Sequence, residues 1–209
     1  MVKFKVFFKT IAFVTVVLFS TLVWYGYTFD GKQRAEASVP SLPNFEQTSN
    51  QLFLDNVNQC VEYAYFYNKD IEQVNIELLL AQAALESGWG TSRFAREGKN
   101  LFGIRTYDLR EPHMLPSNNP KKWGVKVFEH ECDSVLYYIQ TLNNHHAYKD
   151  YRRMLEDGID DPFILVETLD AYASDKNYFP KIKRILKTIR EDYKWLRLHM
   201  DLWWEYLVC

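Results

Sequence analysis

Between residues 51 and 67 the apolar side chains Leu52, Leu54, Val57, Val61, Ala64 and Tyr65 recur three and four positions apart, which predicts an amphipathic helix. Residues 76–86 are apolar almost all round, the pattern of a helix buried on every side. A short helix over 92–97 follows, with Thr91 or Ser92 as its cap. The period then changes. Residues 101–106 and 122–128 read as two strands of a long-armed hairpin, joined by a loop holding Pro112, Pro116, Asn118, Asn119 and Pro120. Helical spacing returns over 133–142 and 148–156, the second closed by Gly158. Asp161-Pro162 suits the first turn of a helix running to about residue 173, and Ile182, Ile185, Leu186 and Ile189 stripe a last helix over 178–193. The expected fold class is α+β, mostly α-helical, with one small β-hairpin beside the second helix.

The N-terminus has a different pattern. Lys3, Lys5 and Lys9 precede the uncharged residues 11–29, enough to cross a bilayer core as a helix, and the lysines place that end in the cytoplasm. Trp24, Tyr25 and Tyr27 suit an interfacial aromatic belt. An uncleaved single-pass anchor is favoured over a cleaved signal peptide, whose small-residue site would be Ala35-Glu36-Ala37, beyond the apolar end. The expected organisation is a membrane segment over 1–29, a linker over 30–49 with Pro40 and Pro43, a globular domain over 50–193, and a tail over 194–209. In the tail, Trp203, Trp204, Tyr206 and Leu207 suit docking on the domain or contact with the membrane surface.

A hydrophobic content of 47%, with 14 Tyr and 14 Phe, supports a packed core. Net charge is -2 and no basic field is present, which argues against nucleic acid as a partner. Cys60, Cys132 and Cys209 lack metal spacing; a Cys60–Cys132 disulfide and free core cysteines are both open. His145 and His146 are adjacent, so they do not face one site, and neither zinc nor a cofactor is expected.

The chemistry concentrates in residues 81–91. Glu86 stands near the C-terminal end of an apolar helix, where the macrodipole and the loss of water both favour its neutral form. A carboxylic acid that keeps its proton near neutral pH is a candidate general acid; the plainer reading is a solvated or ion-paired glutamate. Gly88 and Gly90 flank Trp89, so a sharp turn can present a ring beside the acid, an arrangement suited to a sugar.

The run from Ala81 through Gln82, Glu86, Ser87, Gly88, Trp89 and Gly90 to Ala95, continued by Asn100-Leu101-Phe102-Gly103-Ile104, resembles the signature of glycoside hydrolase family 73, nearest to its Bax-like branch. Tyr172-Ala173-Ser174-Asp175-Lys176-Asn177-Tyr178 is similar to that family's downstream motif. The resemblance covers about residues 50–190. It implies a lysozyme-like fold and a bacterial endo-β-N-acetylglucosaminidase that cuts peptidoglycan glycan strands between N-acetylglucosamine and N-acetylmuramic acid. The enzyme would be held at the inner membrane and face the periplasm or wall.

On that resemblance Glu86 is the proton donor and Tyr172 supports catalysis or holds the sugar. A second carboxyl group is wanted; among the acids beyond the Leu-Phe-Gly-Ile motif, Asp108, Glu111, Glu129 and Glu131, Glu111 ranks first, against the bland reading of a solvated loop charge. Substrate-assisted attack by the N-acetyl group would need no second acid. Trp89, Phe102 and Tyr178 are candidate sugar-stacking faces, and Asn100 either bonds an N-acetyl group or caps a turn. The competing functions are a lytic transglycosylase and a non-catalytic glycan-binding module.

Overall fold

The computed structural model describes residues 39–46, 49–117, 122–169, 175 and 177–193. The expected membrane segment, Tyr172 and the apolar tail lie outside them. Among the described residues no helix is long and apolar enough to cross a membrane. The chain divides after Val39, and the unit from Pro40 onward holds the elements that follow.

Helix α1, Asn50–Tyr67, starts at Ser49, whose hydroxyl accepts from the Leu52 N–H at 3.1 Å. Helix α2, Ile76–Ser87, is capped by Asn75, whose Oδ1 accepts from the Leu78 N–H at 2.8 Å. Leu78, Leu79, Leu80, Ala81, Ala83 and Ala84 of α2 are all buried, so this helix is the axis of the core, as its all-round apolar pattern predicts. Helix α3, Arg93–Gly98, takes its cap from Ser92.

The hairpin region departs from expectation. It is a three-stranded antiparallel sheet in the order β1-β3-β2, built from Arg105–Thr106, His113–Met114 and Gly124–Lys126. The extra strand, β2, comes from the segment read as loop. Two residues between prolines are too few for a period-2 signal, and only the partner strand identifies them. Gly124 makes the pairing possible, because a Cβ there would come within 3 Å of the His113 side chain.

Helix α4, Glu131–Asn144, begins in a capping box between His130 and Asp133. Helix α5, Lys149–Glu156, follows a 3-10 turn at His146–Tyr148. Helix α6 is shorter than predicted, Pro162–Leu165 with a 3-10 continuation at Val166–Thr168. Helix α7, Tyr178–Asp192, packs its Ile182, Leu186 and Ile189 stripe into the core, and Arg190 ties it to Glu77 of α2 at 2.6 Å.

Cys60 of α1 and Cys132 of α4 form a disulfide, resolving the open choice between pairing and free thiols. His130 Nε2 lies beside that bond, but its Nδ1 accepts from the Cys132 N–H and its Nε2 donates to the Pro43 carbonyl at 3.1 Å. A ring so engaged beside oxidised sulfurs does not make a metal site. The Pro43 contact also docks the end of the expected linker. Gln59 donates to the Ser41 carbonyl, Asn56 donates to the Asn44 carbonyl, and Phe45 packs edge-on against Phe53 and His130.

Candidate active site

Glu86 lies in the last turn of α2, immediately before a turn with three consecutive left-handed residues: Gly88 (φ +58°), Trp89 (φ +56°) and Gly90 (φ +74°). Glycine adopts that conformation freely, whereas at Trp89 it costs about 1–2 kcal/mol. Ser87 fixes the turn, since its hydroxyl donates to the Ala83 carbonyl and accepts from the Gly90 N–H at 2.7 Å. Trp89 is half-buried, its ring edge-on to Phe53 at 6.2 Å.

The Leu-Phe-Gly-Ile loop passes over the acid. Gly103 is exposed at φ +64°, and a Cβ on it would stand 3.8 Å from Glu86 Oε2, so the loop can pass this close to the carboxyl group without a side chain facing it. Asn100, expected to bind an N-acetyl group or cap a turn, proves to be the organiser of this loop. It is buried, its Nδ2 donates to the Ile104 and Lys126 carbonyls, and its Oδ1 accepts from the Phe102 and Ile104 N–H groups.

Glu86 is half-buried, and burial pushes its carboxyl group above the ordinary glutamate range; the neighbouring Tyr178 hydroxyl and the positive charge of Lys181 pull the other way. The result is an acid that holds its proton more tightly than a free glutamate does. Tyr178 was expected as a stacking face and is instead buried, 4% exposed, with its hydroxyl accepting from Gln82 Nε2. Phe102 is buried too, stacked on Tyr138 with ring centroids 4.2 Å apart. Both rings are core walls of the site rather than sugar platforms, because core packing and sugar stacking ask for the same residue types.

Glu111 sits in the segment between β1 and β2, half-exposed, accepting from Lys126 at 2.8 Å and from the Thr106 hydroxyl at 2.9 Å. Those bonds hold its carboxyl below the ordinary range, so it stays ionised. The other acids are differently placed. Asp108 pairs with Arg110, Glu129 is exposed, and Glu131 is buried against Lys99 at the start of α4.

Sequence reasoning missed Gln82 and Tyr138. Gln82 is fully buried, accepts from the Tyr138 hydroxyl and donates to the Tyr178 hydroxyl at 2.8 Å. A signal existed: Gln82 is the one polar residue among the apolar residues 78–85, four positions before Glu86 and hence on the same face.

A half-buried acid at a helix end beside an aromatic turn is an arrangement compatible with glycoside hydrolysis. The family model described as mannosyl-glycoprotein endo-beta-N-acetylglucosaminidase matches residues 63–191, and the chain belongs to this glucosaminidase family. Protein bax of Escherichia coli is 37% identical over 91 residues, 42% of this chain and 31% of that protein. Exo-glucosaminidase LytG of Bacillus subtilis is 23% identical over 146 residues, 66% of this chain and 50% of that protein. The chain thus spans half or less of these curated relatives. Among solved structures, the catalytic domain of the autolysin Auto from Listeria monocytogenes aligns with a TM-score of 0.51 at 22% identity, over 77% of this chain and 93% of that one. The glycoside hydrolase domain of Salmonella typhimurium FlgJ aligns with a TM-score of 0.52 at 20% identity, over 76% and 99%. At those identities the likeness is one of fold.

Proposed function

We propose that this chain is a peptidoglycan hydrolase that cleaves the β-1,4 bond between N-acetylglucosamine and N-acetylmuramic acid, with Glu86 as general acid. The observation that carries the reading is the state of Glu86, a half-buried carboxyl group pushed toward its protonated form beside the exposed Gly103. In the reaction the Glu86 O–H bond breaks and its proton passes to the bridging oxygen as the glycosidic bond parts. Water then supplies a hydroxyl to the anomeric carbon and a proton back to the enzyme, so atoms and charge balance.

Glu111, kept ionised by Lys126 and Thr106, has the charge state required of a group that steadies the positive anomeric carbon or activates water. Its place beside β2, in a short-stranded arm, suits an acid that closes on substrate. Tyr172 retains its proposed supporting role, and Trp89 is the half-exposed ring best suited to stack on a sugar. The N-terminal lysines followed by nineteen uncharged residues support a single-pass tether at the bacterial inner membrane, with the domain facing the wall.

The test is digestion of purified peptidoglycan by the parent and by Glu86→Gln, with products read by mass spectrometry. The expected result is reducing N-acetylglucosamine ends from the parent and none from the variant, which still binds the wall polymer. Anhydromuramyl ends would make the chain a transglycosylase, and hydrolysis by Glu86→Gln would remove the assignment.

A further inference from the structure

We propose that the cavity between the turn after Glu86, helix α3 and the start of α4 binds a free amino-acid end, an ammonium and a carboxylate carried on one carbon, in the peptide stems of the wall polymer. The inference rests on the reading of peptidoglycan as the substrate, and adds a site for the part of that polymer that is not sugar.

The cavity holds about 160 Å³, against the roughly 10–15 Å³ that admits one water. Its walls are apolar at Phe45, Ala95 and Leu101, while Glu131, Lys99 and Arg96 bring charge to it. Glu131 is the unusual member. It is 4% exposed at the first position of α4, and its Oε1 accepts from Lys99 Nζ at 2.9 Å. Among the described residues no group donates to its Oε2, and that atom is not sealed off from the cavity its residue lines. His130 Nε2 stands 3.9 Å away, but its hydrogen goes to the Pro43 carbonyl. A carboxylate oxygen so placed, shielded from bulk water and lacking a donor, is an acceptor for a cationic group.

The cations are placed for the opposite charge. An ammonium has three N–H donors, and Lys99, its side chain 39% exposed, spends one on Glu131. Arg96 is exposed and has no hydrogen bond or ion pair among the described residues. It stands three positions before Lys99, so the two lie on one side of α3, where together they can take a carboxylate. Exposed basic pairs ordinarily face water alone. Here both border a cavity that also holds a buried carboxylate. A simple anion would meet Glu131, and a simple cation would meet Arg96 and Lys99. A group carrying both charges answers both sides.

The location suits the polymer. Its peptide stem branches from N-acetylmuramic acid, the sugar on one side of the bond assigned to Glu86. Gly90, which also lines the cavity, belongs to the left-handed turn that follows Glu86, and Leu101 belongs to the loop that continues to Gly103. The cavity therefore shares two chain segments with the region of the acid. A stem that includes a diamino dicarboxylic acid leaves one ammonium and one carboxylate free on a single carbon, and that end matches the charges of the cavity.

The experiment is an amide NMR titration of the full chain in detergent with the free stem tripeptide alanyl-γ-glutamyl-diaminopimelate. The control ligand is the same tripeptide with lysine as its diamino acid, which keeps the ammonium and lacks the carboxylate beside it. Saturable shifts are expected at the amides of Gly90, Ala95 and Lys99, with a Kd on the order of 1 mM. Binding should be weaker by about tenfold or more for the lysine tripeptide, and for the first tripeptide with Arg96→Gln. Glu131→Gln, which keeps the shape and removes the charge that meets the ammonium, should weaken binding as well. If that buried change prevents folding, Arg96→Gln, an exposed one, decides. The absence of saturable shifts, equal binding of the two tripeptides, or parent-like binding by folded Arg96→Gln would each overturn the proposal. No bond is cut in this titration, so its result is separate from that of digestion. Hydrolysis by Glu86→Gln removes the general-acid assignment and leaves the cavity's ligand standing, and intact hydrolysis without tripeptide binding removes the ligand alone.

Discussion

Breaking the Cys60–Cys132 bond gives a stability change whose size follows from the structure. The two cysteines are 72 residues apart in sequence and their Cα atoms lie 4.8 Å apart, joining α1 to α4. Closing a loop of that length removes conformational entropy from the unfolded chain worth about 4 kcal/mol at room temperature. A folded domain has roughly 5–15 kcal/mol in total, so this one bond is a large share. With a urea slope taken as about 2 kcal/mol per molar, the midpoint should fall by about 2 M on reduction. Urea titration of the oxidised and reduced protein, followed by tryptophan fluorescence, measures it. The double variant Cys60→Ala/Cys132→Ala should fall at least as far, any excess reporting cavities, because both sulfurs are buried. A loss below about 1 kcal/mol in the reduced parent would refute the loop-closure account, meaning that the unfolded chain already holds α1 and α4 together.

Three further outcomes follow from the site. Because Glu86 binds its proton more tightly folded than unfolded, its contribution to stability is full below the ordinary glutamate value of 4.5 and is lost as pH rises through the raised folded value. Glu86→Gln should therefore be more stable than the parent at pH 7 and closer to it at pH 4, measured by thermal melting; equal melting differences at both would contradict this. Gly103→Ala, at φ +64° and facing Glu86 Oε2, should lose about 1–2 kcal/mol and most of its activity, whereas a fully active variant would show that the loop opens there. Lys126→Met removes the cation that holds Glu111 low, so the acid limb of the rate profile should move to higher pH; an unmoved limb would separate Glu111 from catalysis.

The helices were legible because their signals are local. The apolar residues 76–86, the cap residues Ser92 and Asp161, and the α7 stripe each act within a few residues, and the helices start within one or two positions of expectation. The position of Glu86 was legible for the same reason: its place at the end of an apolar helix is written in consecutive residues. Strand β2 was not, since pairing with β3 across Gly124 is what makes it a strand.

By itself, the sequence determined the mostly helical class, the family and the place of Glu86 at the end of a buried helix, because periodicity, caps and a long contiguous motif survive without knowledge of distant contacts. Only the tertiary structure decided what surrounds that acid. Gln82, Tyr138 and Tyr178 lie 56 and 96 residues apart along the chain as measured from Gln82, and Phe102 and Asn100 became core and loop anchor through neighbours supplied by other elements. Burial and the direction of a hydrogen bond are properties of the packed assembly, and they set whether a glutamate holds its proton.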